Sequence, residues 1–251
     1  MPAPKRVLSE LAAFDRREGL LRRGDRVLAA VSGGPDSVCL AHRLARLSGP
    51  RGLRVELIHF DHGLRGEAAR RDERFCRALA ERLGLPYHAR QLPVARAARA
   101  QRRSLEDAGR VLRYRALASE ARRLGLDTVA VGHHLDDQAE TLILHLLRGT
   151  KAKGLAGIPP SRPLADGVRL VRPLLGISRA DVLTYLRAYG LRFRRDASNR
   201  EERFTRNWVR LRILPILESR SPRLREHLAA LAADVRALLK DSGPGSPRRA
   251  G

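Results

Sequence analysis

Short apolar runs alternate along the chain with longer segments in which apolar residues recur every three or four positions. Residues 5–22 set Val7, Leu8, Leu11, Phe14 and Leu20 or Leu21 on one side, the spacing of an amphipathic helix. Arg26–Val31 (RVLAAV) is a brief apolar run that ends at Ser-Gly-Gly, as a buried strand would. A helix is expected to follow through Leu47, with Gly49-Pro50 as its stop. Arg54–Phe60 reads as a second strand, Glu67–Leu83 as a helix closed by Gly84 and Pro86, and Tyr87–Leu92 as a third strand. Leu105–Leu124 reads as a helix, Thr128–Val131 as a fourth strand and Asp136–Leu147 as another helix. After Gly149 the texture changes: residues 149–176 are rich in Gly and Pro around a hairpin-like piece near Val168–Val171. Ser178–Tyr189 is expected to be a helix with Ser178 as N-cap and Asp181 three residues on, a weak capping box. In Ser221–Lys240, Ser221 caps, Pro222 takes the first helical position, and leucines recur at 224, 228, 231 and 238. The last eleven residues, DSGPGSPRRAG, have the composition of a disordered tail.

This alternation predicts an α/β fold: a parallel sheet with helices on both faces, followed by a small helical segment. Ligands in such sheets sit at the carboxyl ends of strands, where loops meet helix N-termini. Two of those ends are unusually polar, Ser32–Ser37 (SGGPDS) after the first strand and Gly132–Thr141 (GHHLDDQAET) after the fourth. Two such loops point to one shared site.

Composition narrows the class. Of 251 residues 43% are hydrophobic and 4% aromatic, enough for a core of Leu, Val and Ala and too many for a disordered chain. Lys and Arg number 50 against 27 Asp and Glu, for a net charge of +23, and only four of the fifty are Lys. Such an excess reads either as a genomic preference for arginine or as an anionic partner, with nucleic acid a better fit than membrane. Residues 151–251 carry +13 of it, which is also what a solvated basic face would give. Cys39 and Cys76 cannot build a disulfide framework, and no CxxC pair is present. The charged start lacks the core of a signal peptide, and no run reaches the ~18 apolar residues of a membrane span. A soluble, cytoplasmic protein is expected.

In Ser32–Ser37 the glycines let backbone approach a phosphate, the helix start supplies oriented N–H groups, and Ser32 and Ser37 add hydroxyls. It lacks the lysine of a Walker A loop and the spacing of a dinucleotide fingerprint. Asp36 would repel phosphate unless a cation bridges them, which implies Mg²⁺. The bland alternative is a capped βα turn. Asp137, Glu140 and Thr141 lie on adjacent turns of one helix, where its dipole favours acids whether or not they do chemistry. They repel phosphate, so they do not read as RNA contacts. His133, His134 and Asp136 lack the HEXXH spacing, so a zinc site is not expected. His59 and Asp61 end the second strand, where they would contact a nucleoside, orient a nucleophile, or simply be a satisfied polar turn. Between Arg194 and Arg212 basic residues interleave with aromatics: Arg203, Arg206 and Arg210 form a helical stripe suited to phosphates, and Phe204, Trp208 and Leu211 an opposing stripe suited to core.

The pattern SGGxDS resembles the loop of the PP-loop ATP pyrophosphatase superfamily (adenine nucleotide α-hydrolase-like, Rossmann-like), and within it the chain resembles the tRNA(Ile)-lysidine synthetase family. The matching pieces are HFDHGLR (59–65), RVLRYR (110–115), GHHLDDQAET (132–141), LLRGTKAKGLAGI (146–158), RPLL (172–175) and DASN…RFTRNWVRLRILP (196–215). The resemblance implies a ligase that uses ATP and Mg²⁺ to adenylate the wobble cytidine of tRNA(Ile) with a CAU anticodon, then joins L-lysine to C2. It implies Ser32, Gly33, Gly34, Pro35, Asp36, Ser37, His59 and Asp61 around ATP, with Asp36 holding the metal through the phosphates. It implies catalytic roles for Asp36, Arg113, His133, Asp137 and Glu140. Of these, Arg113 (in preference to Arg115) would reach the α-phosphate or the base, and Asp137 and Glu140 would grip lysine or the metal. Arg203, Arg206 and Asn207 would serve the site or the tRNA. A PP-loop tRNA-thiolating enzyme is the alternative, but it needs cysteine pairs that Cys39 and Cys76 do not form. The domain reading is a catalytic domain over 1–217, a C-terminal helix over 218–240 as the remnant of a tRNA-binding region, and a tail over 241–251. Family members carry further C-terminal domains for tRNA discrimination; a homodimer, or the Arg-rich 187–212 stretch, would have to serve instead.

Overall fold

The computed structural model describes residues 3–61, 63, 66–102, 104–194 and 205–241. Contacts within the chain group it into two compact units, one of residues 1–133 with 160–195 and one of residues 134–159 with 196–251.

The first unit is built on a sheet. Its strands are β1 (Arg26–Ala30), β2 (Arg54–Asp61), β3 (Tyr87–Gln91), β4 (Thr128–Ala130), β5 (Ser161–Ala165) and β6 (Val168–Val171), in the order β3-β2-β1-β4-β6-β5. Every neighbouring pair is parallel except β5–β6, so the sheet is parallel with one antiparallel edge strand. Its helices are α1 (Ala3–Glu18), α2 (Pro35–Arg51), α3 (Glu67–Leu83), α4 (Val94–Gln101), α5 (Leu105–Arg123) and, after the sheet, Arg179–Ala188. Strand alternation divides the core. Leu28, Ile58, Phe60, Val129 and Leu170 meet Leu92, Val94, Ala98, Leu117 and Ala121 from the α4–α5 side. Val27, Ala29, Val55 and Leu57 take the opposite pleat, and α2 and α3 pack on β1 and β2. Successive strands run outward from β1 in one direction as far as β3, and the chain then returns to the other side of β1 at β4. The reversal places the carboxyl ends of β1 and β4 side by side, the usual location of a ligand in an open sheet.

The second unit is helical: α6 (Leu135–Leu147), α7 (Ala152–Leu155), then α8 (Arg179–Ala188) of the first unit intervenes in sequence, and α9 (Thr205–Trp208), a π-helical turn at Val209–Ile213, α10 (Leu214–Arg220) and α11 (Leu224–Asp241) follow. Ala139, Ile143 and Leu144 of α6 pack with Val209, Leu214, Leu224 and Leu228.

Several boundaries differ from the sequence reading. The expected stop at Gly49-Pro50 lies inside α2, which runs to Arg51 and ends at Gly52 (φ 61°), whose N–H meets Gly49 O while Leu53 N–H meets Ser48 O. Proline's fixed φ is helical, and the reversal needs the left-handed residue that Gly52 supplies. The opening helix ends at Glu18 rather than continuing to 22, and Leu20 and Leu21 are buried from the turn that follows. Ser221 and Pro222 form a turn, not a cap, and α11 starts at Leu224. Helices α4 and α7 were not anticipated. The proposed tail beyond Asp241 lies outside the described residues.

Candidate active site

The loop after β1 is shaped by its own hydroxyls. The Ser32 N–H donates to Ser37 Oγ (3.1 Å), the Ser37 hydroxyl donates to Gly34 O (2.9 Å), and the two hydroxyl oxygens stand 3.3 Å apart. Gly33 is left-handed at φ 81°, the conformation that favours glycine, and a side chain there would also crowd the Phe75 ring at 3.1 Å. Gly34 is extended at the N-cap, Pro35 opens α2, and Asp36 lies in its first turn. The result is a concave backbone surface facing the start of a seventeen-residue helix, which is an anion nest. Gly132 at the end of β4 closes one side of it: a Cβ there would sit 3.1–3.3 Å from the Asp36 carbonyl and the Ser37 nitrogen. The Arg194 N–H donates to Gly33 O (2.9 Å), so the segment after α8 also ties to the loop.

Charge around the nest is supplied by arginine. Arg179, the first residue of α8, stands 3.4 Å from the Asp36 carboxylate. Ser178 caps that helix: its hydroxyl accepts the Asp181 N–H (3.1 Å), and Asp181 accepts the Ser178 N–H (3.1 Å). His59 is buried, and its Nδ1–H donates to Val31 O (2.9 Å), joining the end of β2 to the end of β1. Asp61 accepts the Gly63 N–H (2.8 Å) in a turn at the end of β2. His133 accepts from Arg172 Nε at 3.3 Å through Nδ1, which leaves its proton on Nε2. Arg172 itself is buried; burial lowers its pKa from the ordinary value, the Tyr114 hydroxyl opposes that, and the charges of Arg162 and Arg110 reinforce it. Arg113 lies over the Tyr114 ring at 5.7 Å.

The second unit holds the other candidate acids. Glu140 has no solvent exposure and is clamped by two guanidinium groups. Arg206 Nε donates to Oε2 (2.7 Å), Arg210 Nε to Oε1 (2.6 Å), and a second Arg210 N–H to Oε2 (3.1 Å). Arg206 also reaches Asp137 Oδ1 at 3.2 Å. Asp137 accepts the His134 N–H (3.0 Å) at the start of α6, and Asp136 pairs with Arg225 of α11 (2.5 Å), which in turn holds Glu218 (2.8 Å). Arg206 and Arg210 therefore face inward on carboxylates instead of forming an outward stripe for phosphates. A buried carboxylate must be paired, and the π-helical turn brings the second arginine round to it. The same change of phase corrects the expected apolar stripe. Trp208 and Leu211 are exposed at 37% and 39%, whereas Val209 is in the core and Asn207 is buried. Arg203 and Phe204 lie outside the described residues.

The structure thus gathers Ser32–Ser37, Gly132 and Asp36 at one sheet end, and Asp137, Glu140 and Arg206 in the helical unit. Sequence reasoning met Arg172 only as the first residue of RPLL (172–175), without a role, and passed over Arg179 and Arg225; a basic residue beside a candidate acid is visible only in three dimensions. Among the described residues no three His, Cys, Asp or Glu side chains gather as a metal-holding group, and no helix is long and apolar enough to cross a membrane.

A nest of this build, at the point where strand order reverses, marks a phosphate-binding α/β class, and the chain belongs to the PP-loop domain family, whose model matches residues 6–217. Within that class it is similar to proteins named tRNA(Ile)-lysidine synthase. It is 47% identical to that of Symbiobacterium thermophilum over 214 residues, 85% of this chain and 44% of the relative. It is 43% identical to that of Geobacter sulfurreducens over 238 residues, 93% of this chain and 49% of the relative. The chain spans about half the length of the curated relatives it matches. Its fold resembles the U34-tRNA thiolase NcsA of Methanococcus maripaludis, solved with its [4Fe-4S] cluster. There the TM-score is 0.76 at 18% identity, covering 98% of this chain and 83% of that one.

Proposed function

We propose that this chain carries the catalytic machinery that joins L-lysine to C2 of the wobble cytidine in the CAU anticodon of tRNA(Ile), consuming ATP and releasing AMP and pyrophosphate. The observation that carries this reading is the serine–glycine nest bearing Asp36, in a chain 47% identical to a named tRNA(Ile)-lysidine synthase. Backbone N–H groups of residues 32–37 and the start of α2 take the ATP phosphates. One carboxylate beside phosphate oxygens suits Mg²⁺, which binds through one or two carboxylates plus substrate phosphates, and Asp36 is the residue that would hold it. That ion would supply charge neutralisation on the phosphates.

The C2 carbonyl oxygen of cytidine attacks the α-phosphate and pyrophosphate departs. The adenylated C2–O bond is then a good leaving bond, and the neutral ε-amine of lysine displaces AMP. Arg113 and His133 are assigned to the developing charge on the α-phosphate and the base. Of the two acids, Glu140 is saturated by Arg206 and Arg210, whereas the Asp137 side chain retains 14% exposure. We therefore assign Asp137 to the lysine amine, and Glu140 to holding Arg206 and Arg210 in place, with Asn207 beside them. Arg203 is kept as a tRNA contact. A cytoplasmic setting and a homodimer belong to the same reading.

The thiolation alternative is not favoured. Cys39 and Cys76 are both buried, and burial pushes each thiol up to about 12, so neither is a thiolate at neutral pH. The test is to incubate the protein with ATP, labelled lysine and a tRNA(Ile) transcript with a CAU anticodon. Label in the tRNA with AMP and pyrophosphate released is expected; ADP as product, or ATP turnover without lysine transfer, would overturn the proposal.

A further inference from the structure

An open groove of about 810 Å³ lies between one face of α5 and the edge strand β5, and it shares no residue with the nest. Ala108, Leu117 and Ala121 turn the apolar side of α5 to the core. The adjoining side presents Arg110, Tyr114, Arg115 and Arg122, with Arg162 on the β5 wall and Asp107 at one end. From Arg110 to Arg122 the helix rises about 18 Å.

Several arginines elsewhere on the same unit are held by carboxylates, though among the described residues Arg74 and Arg82 of α3 and Arg96 and Arg99 of α4 are not. On α3, Arg70, Arg71 and Arg77 each have a carboxylate of their own helix within 3.5 Å, and Arg90 and Arg123 share Glu120. Among the described residues Arg110, Arg115 and Arg162 enter no ion pair, and Arg122 reaches only the fully exposed Asp166, at 3.9 Å. What sets the groove apart is that five residues, Arg110, Arg115, Arg122, Arg162 and Tyr114, line one continuous concavity. The field is felt inside the unit as well, since Arg110 and Arg162 both act against the charge of buried Arg172. Arg162 lies 5.2 Å from the centroid of Tyr114, which orients its guanidinium along the β5 wall of the groove.

We infer that this groove binds the phosphodiester backbone of an RNA chain. An elongated row of guanidinium groups with almost no carboxylate partners suits an anion whose charge repeats along its length. A single phosphate would leave most of the row unsatisfied. The inference rests on the reading that the substrate is an RNA, and it assigns that RNA a second foothold beyond the reacting base.

The test compares the wild-type protein with R115Q/R122Q and with R70Q/R77Q, a pair of equal charge loss outside the groove. Binding of a CAU-anticodon tRNA transcript is followed by fluorescence anisotropy from about 50 to about 200 mM salt. Each phosphate contact contributes about 0.7–0.9 to the slope of log K against log salt, so the groove pair should lower the slope by about 1.4–1.8. The R70Q/R77Q pair should leave it unchanged. Equal effects of the two pairs would mean diffuse surface charge and overturn the inference. So would abolition of the groove pair's effect by inorganic pyrophosphate, which would mean a site for small phosphates. Lysine transfer is measured in parallel. A slope change without lysine transfer in the wild type would sink the proposed reaction and leave the groove standing, while transfer with an unchanged slope would do the reverse.

Discussion

Glu140→Gln is the most informative single substitution, because it removes one charge and almost no volume. The carboxylate accepts three charge-assisted N–H bonds at 2.6–3.1 Å from Arg206 and Arg210. Glutamine keeps one acceptor oxygen, which can take the place of Oε2 and its two bonds, and turns an NH₂ toward Arg210 Nε, so the shortest of the three bonds is lost, one donor is opposed and the charge that balanced two guanidinium groups is gone. Breaking a buried ion pair from one side costs about 3–5 kcal/mol. The two arginines are 31% and 26% exposed and can turn partly to water, which places the expected loss at the lower end, about 3 kcal/mol. For a chain of this size that is a fall in Tm of about 6–12 °C. Calorimetry gives the midpoint, and hydrogen exchange on α6 shows whether the loss is centred there. The triple variant E140L/R206M/R210M should recover part of the difference, because it removes Glu140 together with both guanidinium groups, while Asp137 loses Arg206 as a partner. A fall below about 2 °C for E140Q would refute the argument, since it would give the clamp only the value of a surface pair. Lysine transfer by E140Q has to be measured well below its melting point, so that unfolding is not mistaken for lost chemistry.

Two further outcomes follow from the sheet unit. Gly132→Ala should weaken ATP binding by about tenfold in calorimetric titration, because a Cβ within 3.3 Å of the Asp36 and Ser37 backbone must displace the nest; unchanged affinity would show that the nest does not hold the nucleotide. His42 is lowered below its ordinary pKa, first by burial and then by the charges of Arg46 on α2 and Arg82 on α3, while its Nδ1 bonds the Tyr185 hydroxyl (2.9 Å) and its ring meets Tyr189. The unfolded chain then binds a proton that the folded chain refuses, so stability falls as pH drops through about 6.5 toward the folded value. Urea midpoints between about pH 5 and 7 should decline more steeply for the wild type than for H42Q, and equal slopes would show that His42 is not the group responsible.

The sheet was legible because burial on both faces writes strands such as RVLAAV and TVAV as apolar runs, and because Ser-Gly-Gly punctuates the first of them. The nest was legible for the same reason: its chemistry lies in consecutive residues. The hairpin-like piece near Val168–Val171 was legible too, as β6 with its antiparallel partner, but the bounds of that partner were not, since SRPLA carries a proline and little apolar character and owes its place to pairing with β6. The inward turn of Arg206 and Arg210 could not be read either. A uniform 3.6-residue period assigned Trp208 and Leu211 to the core, and a π-helical turn moved that role to Val209. Pairings such as Asp36 with Arg179 and Asp136 with Arg225 join residues more than eighty positions apart, beyond the reach of any local pattern.

The wide turn at Val209–Ile213 has a bearing on how this segment can vary. Arg206 before it and Arg210 within it are indexed to a carboxylate, and Val209 and Leu214 to an oily seam with α6, two tasks that a helix of constant pitch would set on different sides. One surplus residue works as a phase shifter that reconciles them. Many side chains there are therefore exchangeable, while the spacing is not: inserting or deleting a single position would rotate everything downstream by roughly 100° and uncouple the clasp from the seam in one step.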